Sequence, residues 1–307
     1  MELRHLLTFE KVATTLSFTR AAAELKYAQS SVTGQIKSLE STLGCQLFDR
    51  LGSRIRLTEA GERLLPYARQ LLDLEAEARA AVAGAEDPEG SLTIGTMESL
   101  TSYRLPPLLE LFLHRYPGVR LSMRPTLGDE TRQALRQGTY DIGFLMEAET
   151  DHPGLEVRVL AEEPLALLAA PGNTLAAADR TAPLTTREVL SQPLLATEPG
   201  CAYRDLFEQE LNSVAGQPVS FTEFGTIEAT KRATAAGLGI CLLPLVTVTE
   251  ELTDGRLTTL DWRPPFTLST QLAWRAGKRL PAHARLFVEQ AARLVREQAA
   301  GKSPERA

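Results

Sequence analysis

Cysteine and histidine are both scarce in this chain, with three and four respectively among 307 residues. Three cysteines well separated in sequence do not make a disulfide framework. The histidines, His5, His114, His152 and His283, are scattered and show no metal-ligand spacing. A glycine-rich phosphate loop and a nucleophile-elbow pattern are both missing. Nothing positive marks an enzyme, although Asp, Glu and Ser are plentiful enough to build an unmarked site. No catalytic residue, metal or cofactor is expected. A basic-then-apolar leader is also lacking, as is any apolar run long enough to span a membrane. The expectation is a soluble, cytoplasmic chain with no membrane partner.

What is present begins near the N-terminus. Phe18–Leu25 and Gln29–Glu40 predict two helices joined by a tight turn. Val32, Ile36, Leu39 and Leu43 recur at helical spacing and form an apolar stripe. The opposite face offers Gln29, Ser30, Thr33 and Lys37. Glutamine can bond adenine with two hydrogen bonds, hydroxyls serve bases or phosphates, and lysine pairs with phosphate. Thr19 stands where an N-cap belongs. Leu3, Leu6, Leu7, Phe9, Val12 and Ala13 predict an earlier helix packed behind both. The arrangement is that of a helix-turn-helix, whose second helix enters the DNA major groove. On periodicity alone, a three-helix piece of an enzyme with a solvated polar face fits as well.

The residues that follow favour DNA. Ile55 and Leu57 alternate with Arg54 and Arg56, with Gly52 and Ser53 at a turn, as in a two-stranded wing. Such a wing holds Arg54 or Arg56 near a phosphate or the minor groove. Residues 1–58 carry a net charge of +3 against −6 for the whole chain, a basic end on an acidic body. The stretch resembles the LysR-type transcriptional regulators. The resemblance rests on Leu3 and Phe9, Ser17 to Ala22, Gln29 to Thr33, Gln35-Ile36, Leu39-Glu40, Leu43-Gly44, Leu47 to Arg50 and Leu57 to Gly61. It implies a winged helix-turn-helix in which Gln29, Ser30, Thr33 and Lys37 face DNA, supported by Arg50, Arg54 and Arg56. Two positions depart from the pattern. Ala28 replaces a frequent hydroxyl cap, at a cost of about 1 kcal/mol. Gly34 replaces a frequent arginine, so the bound sequence is not transferable from a relative.

Residues 59–85 predict one long helix. Ala60, Leu64, Tyr67, Leu71, Leu74, Ala78 and Val82 lie close to a coiled-coil seam, and Pro66 predicts a bend or local break. The seam serves packing within its own domain or pairing with a second subunit, and the resemblance favours a linker helix in a dimer or a dimer of dimers. Gly84 to Gly90 is rich in glycine, proline and acid and marks the clearest boundary. From Ser91 onward strands alternate with helices, which implies an α/β sheet. The chain returns at Leu268–Ala273 and ends in a helix from Ala282, so two lobes joined by two crossings are expected, near 161–165 and 263–268. The fold class is therefore α+β with α/β: a winged helix-turn-helix over 1–58, a linker and hinge over 59–88, and a two-lobed effector domain over 89–300. Lobe I takes about 89–162 and 267–300, and lobe II about 163–266. Periplasmic solute-binding proteins share this two-lobed architecture, and the resemblance implies the same for an effector domain.

Helix starts and strand ends supply the expected cleft contacts. They are Asp129, Thr131, Gly200, Cys201, Tyr203 and Thr226, and, by the resemblance, Ser99 with Thr101 beside it. The competing role for Ser, Thr and Asp there is simple capping. Glu98, Asp129, Glu130 and Glu147 crowd the mouth, with Arg204 as the main cation. Relatives responsive to aromatic acids often carry a cation just after the third strand, where this chain has Phe144 to Glu147. The expected effector is a small, weakly charged or zwitterionic metabolite. An alternative is thiol-based redox sensing through Cys201, which stands at a helix start that can lower a thiol pKa. Cys241 is expected in the core and Cys45 under the wing. The partners implied are double-stranded promoter DNA, a small effector and further copies of the chain, with RNA polymerase as a further partner that the role allows.

Overall fold

Leu3–Thr15 (α1) buries Leu6, Phe9, Val12 and Ala13 on one face. Phe18–Leu25 (α2) is capped by Ser17, whose extended backbone lets its hydroxyl accept the Arg20 N–H at 3.3 Å. Thr19 is thus not the expected cap; it lies exposed in the first turn. Lys26, with φ 55°, turns the chain sharply into Gln29–Leu43 (α3). Ala28 caps α3 without a side-chain hydrogen bond. Val32, Ile36 and Leu39 are buried, whereas Leu43 is 39% exposed because the last turn of α3 projects past the cluster that covers the other three. Phe48–Leu51 (β1) and Arg54–Leu57 (β2) form the antiparallel wing. Phe48 closes the head's core against Phe9 and Phe18, with ring centroids at 5.5 and 5.8 Å. Leu47 and Phe48 take the inward positions after Gly44, which leaves Cys45 exposed and not beneath the wing. Glu59–Ala83 (α4) runs unbroken through Pro66. The structure, a computed structural model, describes residues 1–51, 54–83, 88–176 and 182–301; the wing turn at Gly52 and Ser53 and the hinge at 84–87 lie outside them.

The body contains two five-stranded sheets. In chain order the elements of the first are Gly90–Thr96 (β3), Pro106–Arg115 (α5), Val119–Pro125 (β4), Gly128–Gln137 (α6), Ile142–Glu147 (β5) and Leu155–Glu162 (β6). The chain then crosses to Leu165–Ala169 (β7), Thr186–Val189 (α7), Leu194–Ala196 (β8), Ala202–Ala215 (α8), Thr222–Glu223 (β9), Ile227–Ala235 (α9), Ile240–Pro244 (β10), Thr249–Thr253 (α10) and Thr258–Leu260 (β11). It returns through Ser269–Arg275 (β12) and ends in Ala282–Ala299 (α11). Strand order is β4-β3-β5-β12-β6 in one sheet and β11-β7-β10-β8-β9 in the other. Each sheet mixes parallel pairs, such as β3 with β5 and β10 with β8, with antiparallel ones made by the crossing strands. Strand β9 is only two residues long, and Leu100–Arg104 forms a π-helical turn after β3.

Burial explains why each sheet is the floor of its own lobe. Phe287 of α11 packs on Phe112 of α5 and Phe144 of β5, with ring centroids 5.3 and 6.3 Å apart. In the other lobe Phe207 of α8 meets Trp262 at 5.3 Å and Phe221 at 6.1 Å. Both crossings meet one buried ion pair: Glu163 accepts from Arg104 Nη2 at 2.6 Å and from Thr270 Oγ1 at 2.7 Å, while its N–H donates to the Leu268 carbonyl at 2.8 Å. Among the described residues no helix is long and apolar enough to cross a membrane, and no group of ligating side chains could hold a metal ion.

Candidate functional site

The polar face of α3 presents Gln29, Ser30 and Lys37 to solvent and leaves Thr33 half-buried. Helical geometry sets Gln29, Thr33 and Lys37 one turn apart on a single face. Their side chains make no hydrogen bond to other described residues. Gln35 points the other way and accepts the Thr8 hydroxyl at 2.5 Å, which ties α3 to α1. A Cβ at Gly34 would meet nothing within 4 Å, so the face is open there. Arg56 is exposed on β2, opposite Asp49 in register. The side chains of Arg50 and Arg54 lie outside the described residues.

Between the two lobes lies a cavity of about 490 Å³. Lobe I supplies the first turn of α6, the end of β5 and the segment after it; lobe II supplies the start of α8. Asp129, Gly200, Cys201 and Tyr203 line it, together with Arg132, Glu147, His152 and Asp205, which the sequence did not single out or placed only near the mouth. Met97, Leu127, Met146 and Leu206 give it apolar walls. Its charge is organised around Arg132, which pairs with both Asp129 and Glu147. Burial draws the Arg132 pKa down, but the bonds to Glu147 and Asp129 outweigh it and the net direction is up. His152 Nε2 lies 2.8 Å from Glu147 Oε1, yet neither buried atom has a well-aligned hydrogen bond.

Four expected cleft residues lie outside this lining. Ser99 is buried at the start of the π-helical turn. Thr101 donates back to the Met97 carbonyl at 3.1 Å. Thr131 is fully buried and shares a 2.7 Å hydrogen bond with Thr126. Thr226 caps α9, accepting the Ala229 N–H at 3.2 Å. Arg204 is not the cleft's cation: it is buried, pairs with Glu223 and Glu208, and lies over the Phe221 ring. Charge sign was readable in the sequence, but the direction of a side chain on α8 was not. The signal that could have found Arg132 was its i,i+3 spacing from Asp129 on a helix opening at a strand end.

Cys201 has the opposite character from a redox sensor. Burial pushes its thiol up to about 12, against hydrogen bonds from Tyr203 and Thr197 that lower it. A reactive thiolate needs a depressed pKa, so the thiol alternative finds no support here. Away from the cavity two further contacts join the lobes. Glu98 Oε2 accepts the Ile227 N–H at the start of α9 at 3.2 Å. Lys231 Nζ of α9 lies 4.9 Å from the Tyr103 ring centroid and bonds Glu251 at 2.8 Å.

An open polar helix on a three-helix head, followed by two lobes around a cavity, defines a ligand-responsive DNA-binding regulator. Residues 3–62 match the bacterial regulatory helix-turn-helix protein family of lysR type, and residues 85–296 match the LysR substrate binding domain. The chain belongs to the LysR family of transcriptional regulators. It is 39% identical over 290 residues to the uncharacterized HTH-type transcriptional regulator YwqM of Bacillus subtilis, covering 94% of this chain and 98% of that one. It is 33% identical to YfiE of Escherichia coli, covering 94% and 97%. Family and relatives are regulators of transcription, not enzymes. A full-length OxyR variant from Pseudomonas aeruginosa superposes with a TM-score of 0.76 over 100% of this chain and 99% of that one; at 23% identity this shows the fold. LysG from Corynebacterium glutamicum, solved with bound effector Arg, gives 0.62 at 26% identity, covering 95% and 98%.

Proposed function

We propose that the inter-lobe cavity is the effector site and that it takes a small zwitterionic or amine-bearing metabolite. One observation carries this: Asp129, Glu147 and Asp205 line the cavity, and Arg132, its sole arginine or lysine among the lining residues, is already held by two of these carboxylates. An ammonium group gains from Glu147 and Asp205, whereas a dicarboxylate meets like charge. A ligand carboxylate can be met by Arg132 released from one of its partners. Calorimetric titration against amino acids, polyamines and dicarboxylates tests the class, with arginine in the first panel because it is the effector in the LysG structure. Amine-bearing ligands are expected to bind at least tenfold more tightly than dicarboxylates; dominant dicarboxylate binding would overturn the assignment.

The same proposal covers the reading head. Gln29, Ser30, Thr33 and Lys37, with Arg56 and the arginines Arg50 and Arg54, contact operator DNA. A Gln29→Ala variant is expected to lose about 1–3 kcal/mol, roughly five- to a hundred-and-fiftyfold, on a specific site and little on random sequence. Selection of bound genomic fragments by the purified protein supplies the site, and equal loss on both DNAs would refute the role. Tyr67, Leu71 and Leu74 of α4 are 59%, 36% and 54% exposed. They form an unpartnered apolar seam that fits pairing of two α4 helices, and two heads match a dyad-symmetric operator. The domain limits at 58, 88 and 300 and the cytoplasm as the working compartment belong to this proposal. Effector binding changes promoter activity only through differential affinity for alternative arrangements of the assembly.

A further inference from the structure

We infer that α6 is the strut that couples the effector cavity to the DNA-reading head, through Arg69 of the linker helix. The inference rests on the cavity assignment above and names how occupancy of that site reaches DNA. The two ends of this helix meet different things. Its first turn carries Asp129 and Arg132 in the cavity wall. Its last turn ends at Gly138, with φ 71°, directly against α4: a Cβ at Gly138 would lie 2.6 Å from Pro66 Cβ. One turn further along α4, Arg69 Nη1 donates to the carbonyls of Gly138 at 3.4 Å and Thr139 at 3.2 Å. A guanidinium at the C-terminal carbonyls of a helix is favoured by the helix dipole as well as by the hydrogen bonds. Arg69 Nε also lies 3.8 Å from Glu10 of α1, inside the head. One side chain therefore touches the far end of the cavity helix and the reading head at once.

The helix between these ends is seated to move as a unit. A Cβ at Gly143 of β5 would clash with the Thr131 methyl, and one at Gly95 of β3 would fall 2.7 Å from Tyr140. Glycine at both strand positions lets α6 and the segment after it sit directly on the sheet. Thr131 is locked from the side by Thr126. Ten residues span about 15 Å, a length over which a close-packed helix transmits a displacement and does not absorb it. A ligand that draws Arg132 away from Asp129 or Glu147 moves the first turn, and the last turn shifts its carbonyls against Arg69. Coupling of this kind acts in both directions.

Hydrogen exchange on the full chain tests the strut without any effector. Arg132→Gln, at the cavity end, is expected to raise amide exchange over residues 66–72 of α4 at least threefold. Arg69→Gln, at the linker end, is expected to do the same over residues 129–132. Gly138→Ala is expected to act like Arg69→Gln, by clash and not by loss of hydrogen bonds. Residues 227–235 of α9 serve as the reference and stay unchanged. Changes confined to the mutated end would overturn the inference, and so would equal acceleration in α9. Because no ligand enters the measurement, failure here leaves the cavity assignment standing, and failure of the titration leaves the strut standing.

Discussion

Replacing Glu163 by alanine is expected to destabilise the substrate-binding domain by about 3–5 kcal/mol, the cost of leaving one partner of a buried ion pair alone. Glu163 and Arg104 have side chains only 1% and 6% exposed. Without the carboxylate, Arg104 is left with the 3.1 Å bond to Gln298, and Thr270 loses its acceptor. For a domain of roughly two hundred residues this corresponds to a fall in melting temperature of about 10 °C. Calorimetry of the full chain should show the loss in the transition of the body, with the head's transition unmoved. A Glu163→Leu, Arg104→Met double variant should recover most of the stability, since buried apolar pairs often replace ionic ones without loss. A single variant within about 1 kcal/mol of the parent would show that the pair carries no such weight.

A second large effect is expected at alkaline pH. Cys241 is fully buried on β10, and burial pushes its thiol up to about 12, while the Thr234 hydroxyl, 3.1 Å away, lowers it. The folded chain therefore holds a proton that the unfolded chain releases near the ordinary thiol value. A pKa raised on folding contributes its stability in full below the unfolded value, and loses it as pH rises toward the folded one. The window is about pH 9 to 12, and the rise corresponds to about 4 kcal/mol at its upper end. Cys201 acts in the same direction, and so do Tyr203, raised mainly by burial, and Lys231, whose bonds to Glu251, Glu228 and Tyr103 outweigh the burial that lowers it. Urea midpoints at pH 8, 9.5 and 11 should fall steadily in the parent and less steeply in Cys241→Ala. Parallel slopes would show that this thiol does not drive the loss.

How far each part was legible in the sequence follows the range of the interactions that make it. The head was legible because its signals are local: Val32, Ile36 and Leu39 fall at helical spacing, and Ile55 and Leu57 alternate with arginines. Its misses are local too. Ser17 and Thr19 both offer a capping hydroxyl, and only the backbone angles decide between them. In the body the long elements were visible as apolar runs, while α7, α10 and β11, of three to five residues, are too short to show a period. The cavity was half visible. Gly200, Cys201 and Tyr203 cluster in sequence, and one helix start brings them to the wall. Arg132 and Glu147 are fifteen residues apart on a helix and a strand, and nothing in their spacing says that they meet. Ser99 at a strand end reads the same whether it faces a ligand or the core.

The contact between Glu98 and the first N–H of α9 has a consequence for how the two lobes are held together. Lobe II's helix already holds a carboxylate, and that carboxylate is carried by lobe I. The rival to any other acceptor at that N–H is carried on the chain itself and never diffuses away, at an effective concentration on the order of millimolar for a short tether. The start of α9 therefore serves as a clasp between the lobes, outside the cavity that the ligand argument concerns.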